Sequence, residues 1–211
     1  MSHERQQHRD FLNTYYGLSK SIYDVTRKYY LFGRDLALRQ LAAEPFERLV
    51  EIGPGTGRNL RKLRAMRPDL ALGGVEASDE MLGWAEERCP WAKLVHGFAE
   101  DTPLDTLLGA KPDRILYSYC LSMVQDPHGA LEHSRRQLAP GGEVVIVDFA
   151  DLSGLAQPFR GGLRRWLDAF HVEPLDPAIY EPVARRVEYG PGRYFVIARV
   201  PGYDAASDAA A

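Results

Sequence analysis

Glu47 to Asn59 reads ERLVEIGPGTGRN: an apolar run with two acids, then three glycines alternating with Pro54 and Thr56, then a basic residue and an asparagine. The run predicts a strand over Arg48 to Ile52, and the return of helical spacing predicts a helix from about Thr56 to Met66. Glycines between a strand and a helix let a ligand approach the backbone, and the helix N-terminus adds partial positive charge. A tight turn alone needs one glycine, so three point to a nucleotide-like ligand. The dinucleotide pattern G-x-G-x-x-G is not met, because Gly57 comes one residue early and Pro54 removes an amide donor. Glu51 repels a phosphate and attracts an ammonium. Glu76, about twenty residues further on, ends the next predicted strand, where a carboxylate accepts from ribose hydroxyls. These two acids predict a cationic, phosphate-free nucleoside.

The same alternation runs outward from this turn. Strands are predicted at Leu72 to Glu76, Lys93 to His96, Asp113 to Ser118 and Glu143 to Phe149, with helices at Glu80 to Arg88 and Gly129 to Leu138. Asp126 and Pro127 suit the cap and first turn of the last helix. The pattern is that of a parallel sheet covered by helices. Arg185 to Tyr189 and Arg193 to Val200 flank Gly190-Pro191-Gly192 and predict a hairpin, which makes the sheet mixed. After Pro201 no apolar period remains, and a flexible tail over 201–211 is expected.

Before the core, Tyr15, Leu18, Ile22, Val25, Tyr29 and Phe32 recur at spacings of three and four, a stripe expected to pack on the domain. Beside it run Tyr16, Tyr23, Arg27, Tyr30 and Arg34, either boundary packing or the lining of a ligand site. Residues 1–46 are thus read as an N-terminal helical cap and 47–200 as the core.

The chain has 211 residues, 45% hydrophobic and 26% charged, which suits one soluble domain and excludes a fibrous or disordered protein. A net charge of -3 disfavours nucleic acid as a partner. The charged N-terminus has no apolar core of a signal peptide, so a cytoplasmic location is expected. Cys89 and Cys120 lack C-x-x-C spacing and are read as reduced thiols. The histidines form no zinc-binding motif, and no metal is expected.

The turn ERLVEIGPGTG, with GGVEASDEML (Gly73 to Leu82), HGFAEDTPL (His96 to Leu104), DRILYSYCLSMV (Asp113 to Val124) and LAPGGEVVIVDF (Leu138 to Phe149), resembles the class I S-adenosylmethionine-dependent methyltransferases. The resemblance implies an α/β, Rossmann-like, seven-stranded mixed sheet with helices on both faces and the last strand antiparallel. It implies S-adenosylmethionine as cofactor. Gly53, Gly55 and Gly57 would pass under its methionine part, Glu51 would face its amino group and Glu76 would hold both ribose hydroxyls. Ala77 and Met81 would pack on adenine, with Asn59, Ala99 and Ser118 also at the cofactor. Phe98 stands where many members have aspartate. The adenine amino group then falls to Glu100, or Phe98 stacks.

Three further segments, IYDVTRKYYLFGRD (Ile22 to Asp35), YSYCLSMV (Tyr117 to Val124) and LRRWLDAFHVEP (Leu163 to Pro174), resemble the small N-methyltransferases that convert diacylglyceryl-homoserine into its trimethylated betaine lipid. Phosphatidylethanolamine N-methyltransferases look similar. A soluble small amine and a non-catalytic cofactor-binding module are the remaining alternatives. Methyl transfer mainly needs an amine held in line. Tyr16, Tyr23, Tyr30, Tyr119 and Ser122 are candidates for that task, with Arg27 or Arg34 for an acceptor carboxylate, Arg27 alternatively holding the cofactor's own carboxylate. Tyr119 or solvent is left as the base. Leu163, Trp166, Leu167 and Phe170, beside Arg160, Arg164 and Arg165, form an apolar face of ordinary core packing or of transient contact with an anionic inner-membrane surface.

Overall fold

A computed structural model describes residues 31–169 and 173–203 of the chain. Tyr16, Tyr23, Arg27 and Tyr30 lie outside the described residues, as do Phe170, the Trp166 side chain and 204–211 of the expected tail. Helix α1 (Arg34–Ala42) leads into β1 (Arg48–Ile52), α2 (Arg58–Met66), β2 (Ala71–Glu76), α3 (Asp79–Arg88), β3 (Lys93–His96) and β4 (Arg114–Ser118). A short turn of helix at Leu121–Met123 precedes α4 (Pro127–Gln137) and β5 (Glu143–Phe149). Helices α5 (Phe159–Ala169) and α6 (Pro177–Tyr180) then lead to β6 (Arg186–Tyr189) and β7 (Phe195–Pro201).

The strands form one sheet in the order β3-β2-β1-β4-β5-β7-β6. β1 to β5 are parallel, with Glu51 beside Gly74 and Leu116, while β7 runs antiparallel to β5 and β6. Alternate residues go to opposite faces, as the two-residue period of a strand requires. Leu49, Leu116, Val145 and Val147 meet Leu38, Leu60 and Leu63 on one side. Val50, Ile115, Tyr117 and Ile146 meet Leu131, Leu138 and Tyr180 on the other. Both faces are covered, which is why these strands read as nearly unbroken Val, Ile and Leu. The chain leaves β1 toward β2 on one side and β4 lies on the other, so the order reverses between β1 and β4 and a crevice opens beyond their C-terminal ends.

Element boundaries shift where glycine or a cap dictates. α2 starts at Arg58 because Gly57 is left-handed, φ 74°. α4 starts at Pro127, capped by Asp126, whose Oδ1 accepts from the Gly129 amide at 2.9 Å. β7 begins only at Phe195, after a tight turn in which Gly192 has φ 63°.

The expected N-terminal stripe needs correction at its end, whereas the described side chains of α5 agree with core packing. Arg34 does not continue a helical stripe from the residues before it: Leu31 to Gly33 are not helical, and Gly33, φ 81°, leaves no room for a side chain against the Phe195 ring. Phe32 is 55% exposed instead of packed, although its ring meets Tyr194 edge-on. The apolar side of α5 turns inward rather than toward a bilayer, with Leu167 buried and Leu163 against the core. Arg164, Arg165 and the 75% exposed Phe159 remain outside. Among the described residues no helix is long and apolar enough to cross a membrane.

Replacing the α4 cap, Asp126→Ala, is expected to cost about 1 kcal/mol. For a chain of this size that lowers the unfolding midpoint by roughly 2–4 °C, measured by thermal circular dichroism. An unchanged midpoint would mean that the cap contributes nothing.

Candidate functional site

The crevice holds a cavity lined by Ile52, Gly53, Gly55, Val75, Glu76, Ala77, Met81, residues 97–100, Ser118, Tyr119, Cys120 and residues 123–125. Ends of β1, β2 and β4 and the loops after β3 and β4 thus converge on one volume. Of the residues singled out in the sequence, Gly53, Gly55, Glu76, Ala77, Met81, Phe98, Ala99, Glu100, Ser118 and Tyr119 are on its wall. Glu51, Gly57, Asn59, Arg34 and Ser122 are not among the lining residues.

The three turn glycines all have positive φ, at 65°, 56° and 74°, but for different reasons. A Cβ on Gly53 would lie 2.5 Å from Cys120 Sγ, and one on Gly57 2.6 Å from Cys89 Sγ. At Gly55 nothing lies within 4 Å. Gly53 lines the cavity and also leaves room for Cys120, Gly57 is a glycine for packing and conformation away from the wall, and Gly55, of the three, opens onto free space.

Glu76 closes the turn. Its Oε2 accepts from the Gly55 amide at 2.9 Å and its Oε1 from the Ser78 amide at 3.0 Å, so one carboxylate joins the loops after β1 and β2. Each oxygen keeps acceptor capacity for hydroxyl donors. Glu51 lies deeper, fully buried. Its Oε1 accepts from Asn59 Nδ2 at 2.7 Å, and its Oε2 has no hydrogen-bond partner. Burial raises its carboxyl to about 8, against the pull of Asn59, Arg34 and Arg58.

At the other end, Tyr119 follows β4 with φ 53°, a strained value for a residue with a bulky side chain. Its hydroxyl donates to the Phe32 carbonyl. Burial, and then the nearby Asp148, push its phenol well above the ordinary range, which favours the protonated form. Ser122 has a different task from the one expected: its amide and Oγ donate to the buried Asp148 carboxylate at 3.2 and 3.0 Å. Arg34 Nε donates to the Leu31 carbonyl at 3.2 Å. Cys120 on the wall was missed. It was read only as a thiol, although its place directly after Ser118-Tyr119 at a strand end was a usable signal.

On this wall Gly55 leaves space, Glu76 offers acceptors and, among the described residues, the buried Ser118 Oγ has no partner; behind the wall Glu51 Oε2 is a buried acceptor lacking a donor. Glu76→Ala is expected to weaken S-adenosylhomocysteine binding by about 1.5–3 kcal/mol, some tenfold to a hundredfold in Kd by calorimetry. Unchanged affinity would take Glu76 out of the site. Gly55→Ala should weaken the same binding and lower the unfolding midpoint only by the cost of its left-handed backbone, φ 56°, with no clash added. Gly57→Ala should lower the midpoint, through the Cys89 clash and the left-handed backbone, which scanning calorimetry separates.

A methyltransferase-domain family model matches residues 23–180. The demethylmenaquinone methyltransferase of Tropheryma whipplei is 31% identical over 163 residues, covering 74% of this chain and 64% of its own, so the chain spans about two thirds of that relative's length or slightly less. Among solved structures, a methyltransferase of Haloferax volcanii in complex with the Trm112 activator superposes with a TM-score of 0.68 at 16% identity, over 90% of this chain and 99% of that one. A phosphoethanolamine N-methyltransferase of Haemonchus contortus, solved with S-adenosylhomocysteine, gives 0.60 at 19%, over 86% and 45%. These two likenesses show the shared Rossmann-like fold. With the family match covering residues 23–180, the chain belongs to the methyltransferase-domain family.

Proposed function

We propose that this methyltransferase acts on an amine of a lipid head group, with diacylglyceryl-homoserine as the acceptor. The observation that carries the reading is the chemistry of the cavity wall. Bound S-adenosylmethionine supplies an electrophilic methyl group on a sulfonium. An amine attacks it with its own lone pair once a proton has gone to water, and needs only to be held in line. A ring carbon or a hydroxyl must be activated by a base beside it. Among the described residues of the wall, Glu76 and Glu100 accept from backbone amides of Gly55, Ser78 and Asp126, and burial favours the protonated form of Tyr119. Such a wall suits an acceptor that brings its own nucleophile.

In this reading Glu76 holds the ribose, Ala77, Met81, Phe98 and Ala99 enclose the adenine with Glu100 at its edge, and Glu51 with Asn59 faces the amino end beyond the glycines. Ser118 and Tyr119 bound the reacting end, and Ser122 keeps that loop in place through Asp148. Tyr16, Tyr23, Arg27 and Tyr30, outside the described residues, would serve the acceptor in this reading, and Arg34 its carboxylate. The segments IYDVTRKYYLFGRD and LRRWLDAFHVEP support this, since cofactor binding does not require them.

The name of the Tropheryma whipplei relative favours a second reading, methylation of a quinone precursor. Methyl-labelled donor, offered with diacylglyceryl-homoserine, phosphatidylethanolamine and demethylmenaquinol in mixed micelles, separates them. Label is expected in the homoserine lipid, through mono- and dimethyl products to the trimethyl form. Label in the quinone alone would install the second reading, and label in none of the three would reject a lipid acceptor.

A further inference from the structure

Behind the glycine turn the Asn59 amide is held from both ends. Its Nδ2 donates to Glu51 Oε1 at 2.7 Å, and its Oδ1 accepts from Arg58 Nη1 at 3.2 Å. An amide can turn end for end, and only with its oxygen toward the guanidinium does its NH₂ group face Glu51. Arg58 is fixed in turn from α1, because its Nη2 donates to Asp35 Oδ1 at 2.8 Å, and Asp35 Oδ2 also takes Lys62 Nζ at 2.6 Å. The chain of contacts ends at Glu51 Oε2, buried and without a donor.

We propose that Arg58 is a positioning residue for the amino end of the cofactor: it orients Asn59 against Glu51, and its tether to Asp35 links that arrangement to the docking of α1. The proposal rests on Glu51 being the partner of the cofactor's ammonium group. Four charged or titratable groups influence or are influenced by the Glu51 carboxyl: Arg34 from α1, Arg58 from α2, Glu76 from β2 and Cys89 after α3. Burial and Glu76 favour the protonated acid, while Arg34 and Arg58 favour the carboxylate. The group sits at about 8, so near neutral pH the loss of one of those cations leaves more of it protonated and unable to pair with an ammonium. The loss should be largest below that value and fade as pH rises through it, since Glu51 then ionises in either protein.

Calorimetry with two ligands tests this. S-Adenosylhomocysteine carries the amino acid end, whereas 5′-methylthioadenosine lacks it. Arg58→Gln is expected to weaken S-adenosylhomocysteine about five- to tenfold at pH 7, narrowing to about twofold at pH 9, because Glu51 ionises in both proteins at the higher pH. Titration of the ligand's own amine affects both proteins alike and drops out of the ratio. Binding of 5′-methylthioadenosine should not change, and Arg58→Lys should recover part of the loss. On a Glu51→Gln background, Arg58→Gln should add nothing. Equal weakening of both ligands, a loss independent of pH, or full additivity with Glu51→Gln would overturn the proposal. If Glu51→Gln alone leaves S-adenosylhomocysteine affinity intact, the proposal fails with the reading beneath it, while 5′-methylthioadenosine binding still reports the nucleoside site. Should Arg58→Gln not fold, Arg58→Lys carries the same pH comparison.

Discussion

The site depends on one carboxylate. Glu76 accepts the amides of Gly55 and Ser78 together, and so holds the loops leaving β1 and β2 at the distance that makes a cavity between them. A parallel sheet leaves its strand ends without hairpins to tie them, and the reversal of order between β1 and β4 leaves the widest gap there. Without an acceptor at the end of β2, the Gly55 amide would lose its partner in a partly buried place. The same oxygens face the cavity, so the group that shapes the site is available to a hydroxyl-bearing ligand.

From this carboxylate the site grades in polarity. Toward the glycine turn lie buried acids, an amide and basic side chains. Toward β4 and β5 lies an aromatic cluster, with Tyr119 on Phe149 at 4.6 Å, Phe149 on Tyr194 at 5.7 Å and Tyr194 on Phe32 at 5.4 Å. The cluster links the methyl-transfer end to the β6–β7 hairpin through Tyr194 and to the start of α1 through Phe32. Arg193, paired with Asp151 at 2.9 Å, braces the hairpin against the end of β5. Below, Glu44 joins Arg114 at 3.2 Å and Arg199 at 2.5 Å, fixing the segment after α1 to the sheet. α1 is thus held at its start by Asp35 and past its end by Glu44.

Much of this was legible locally. The strands were readable because parallel strands buried on both faces must be Val, Ile and Leu nearly throughout, and α4 because Asp126-Pro127 is a cap with its own chemistry. The cavity's cofactor side followed from Glu76 and the glycine spacing. What could not be read depends on contacts far apart in sequence. Gly57 needs Cys89, Gly53 needs Cys120, and the break before Arg34 needs the Phe195 ring. Periodicity carried a helix through Phe32 and Arg34 because nothing nearby opposed it except Gly33. The apolar stripe of α5 has the same spacing whether it meets a bilayer or a core, and only the position of β5 and β7 decides for the core. Ser122 looked free for an acceptor because the carboxylate that takes its hydroxyl, Asp148, is 26 residues away.

A crystal structure of the full chain with S-adenosylhomocysteine measures the central claim directly. The ribose hydroxyls are expected on the Glu76 carboxylate, the homocysteine chain over Gly55, and the adenine between Met81 and Phe98. A nucleoside bound elsewhere, with its ribose hydroxyls away from Glu76, would contradict it.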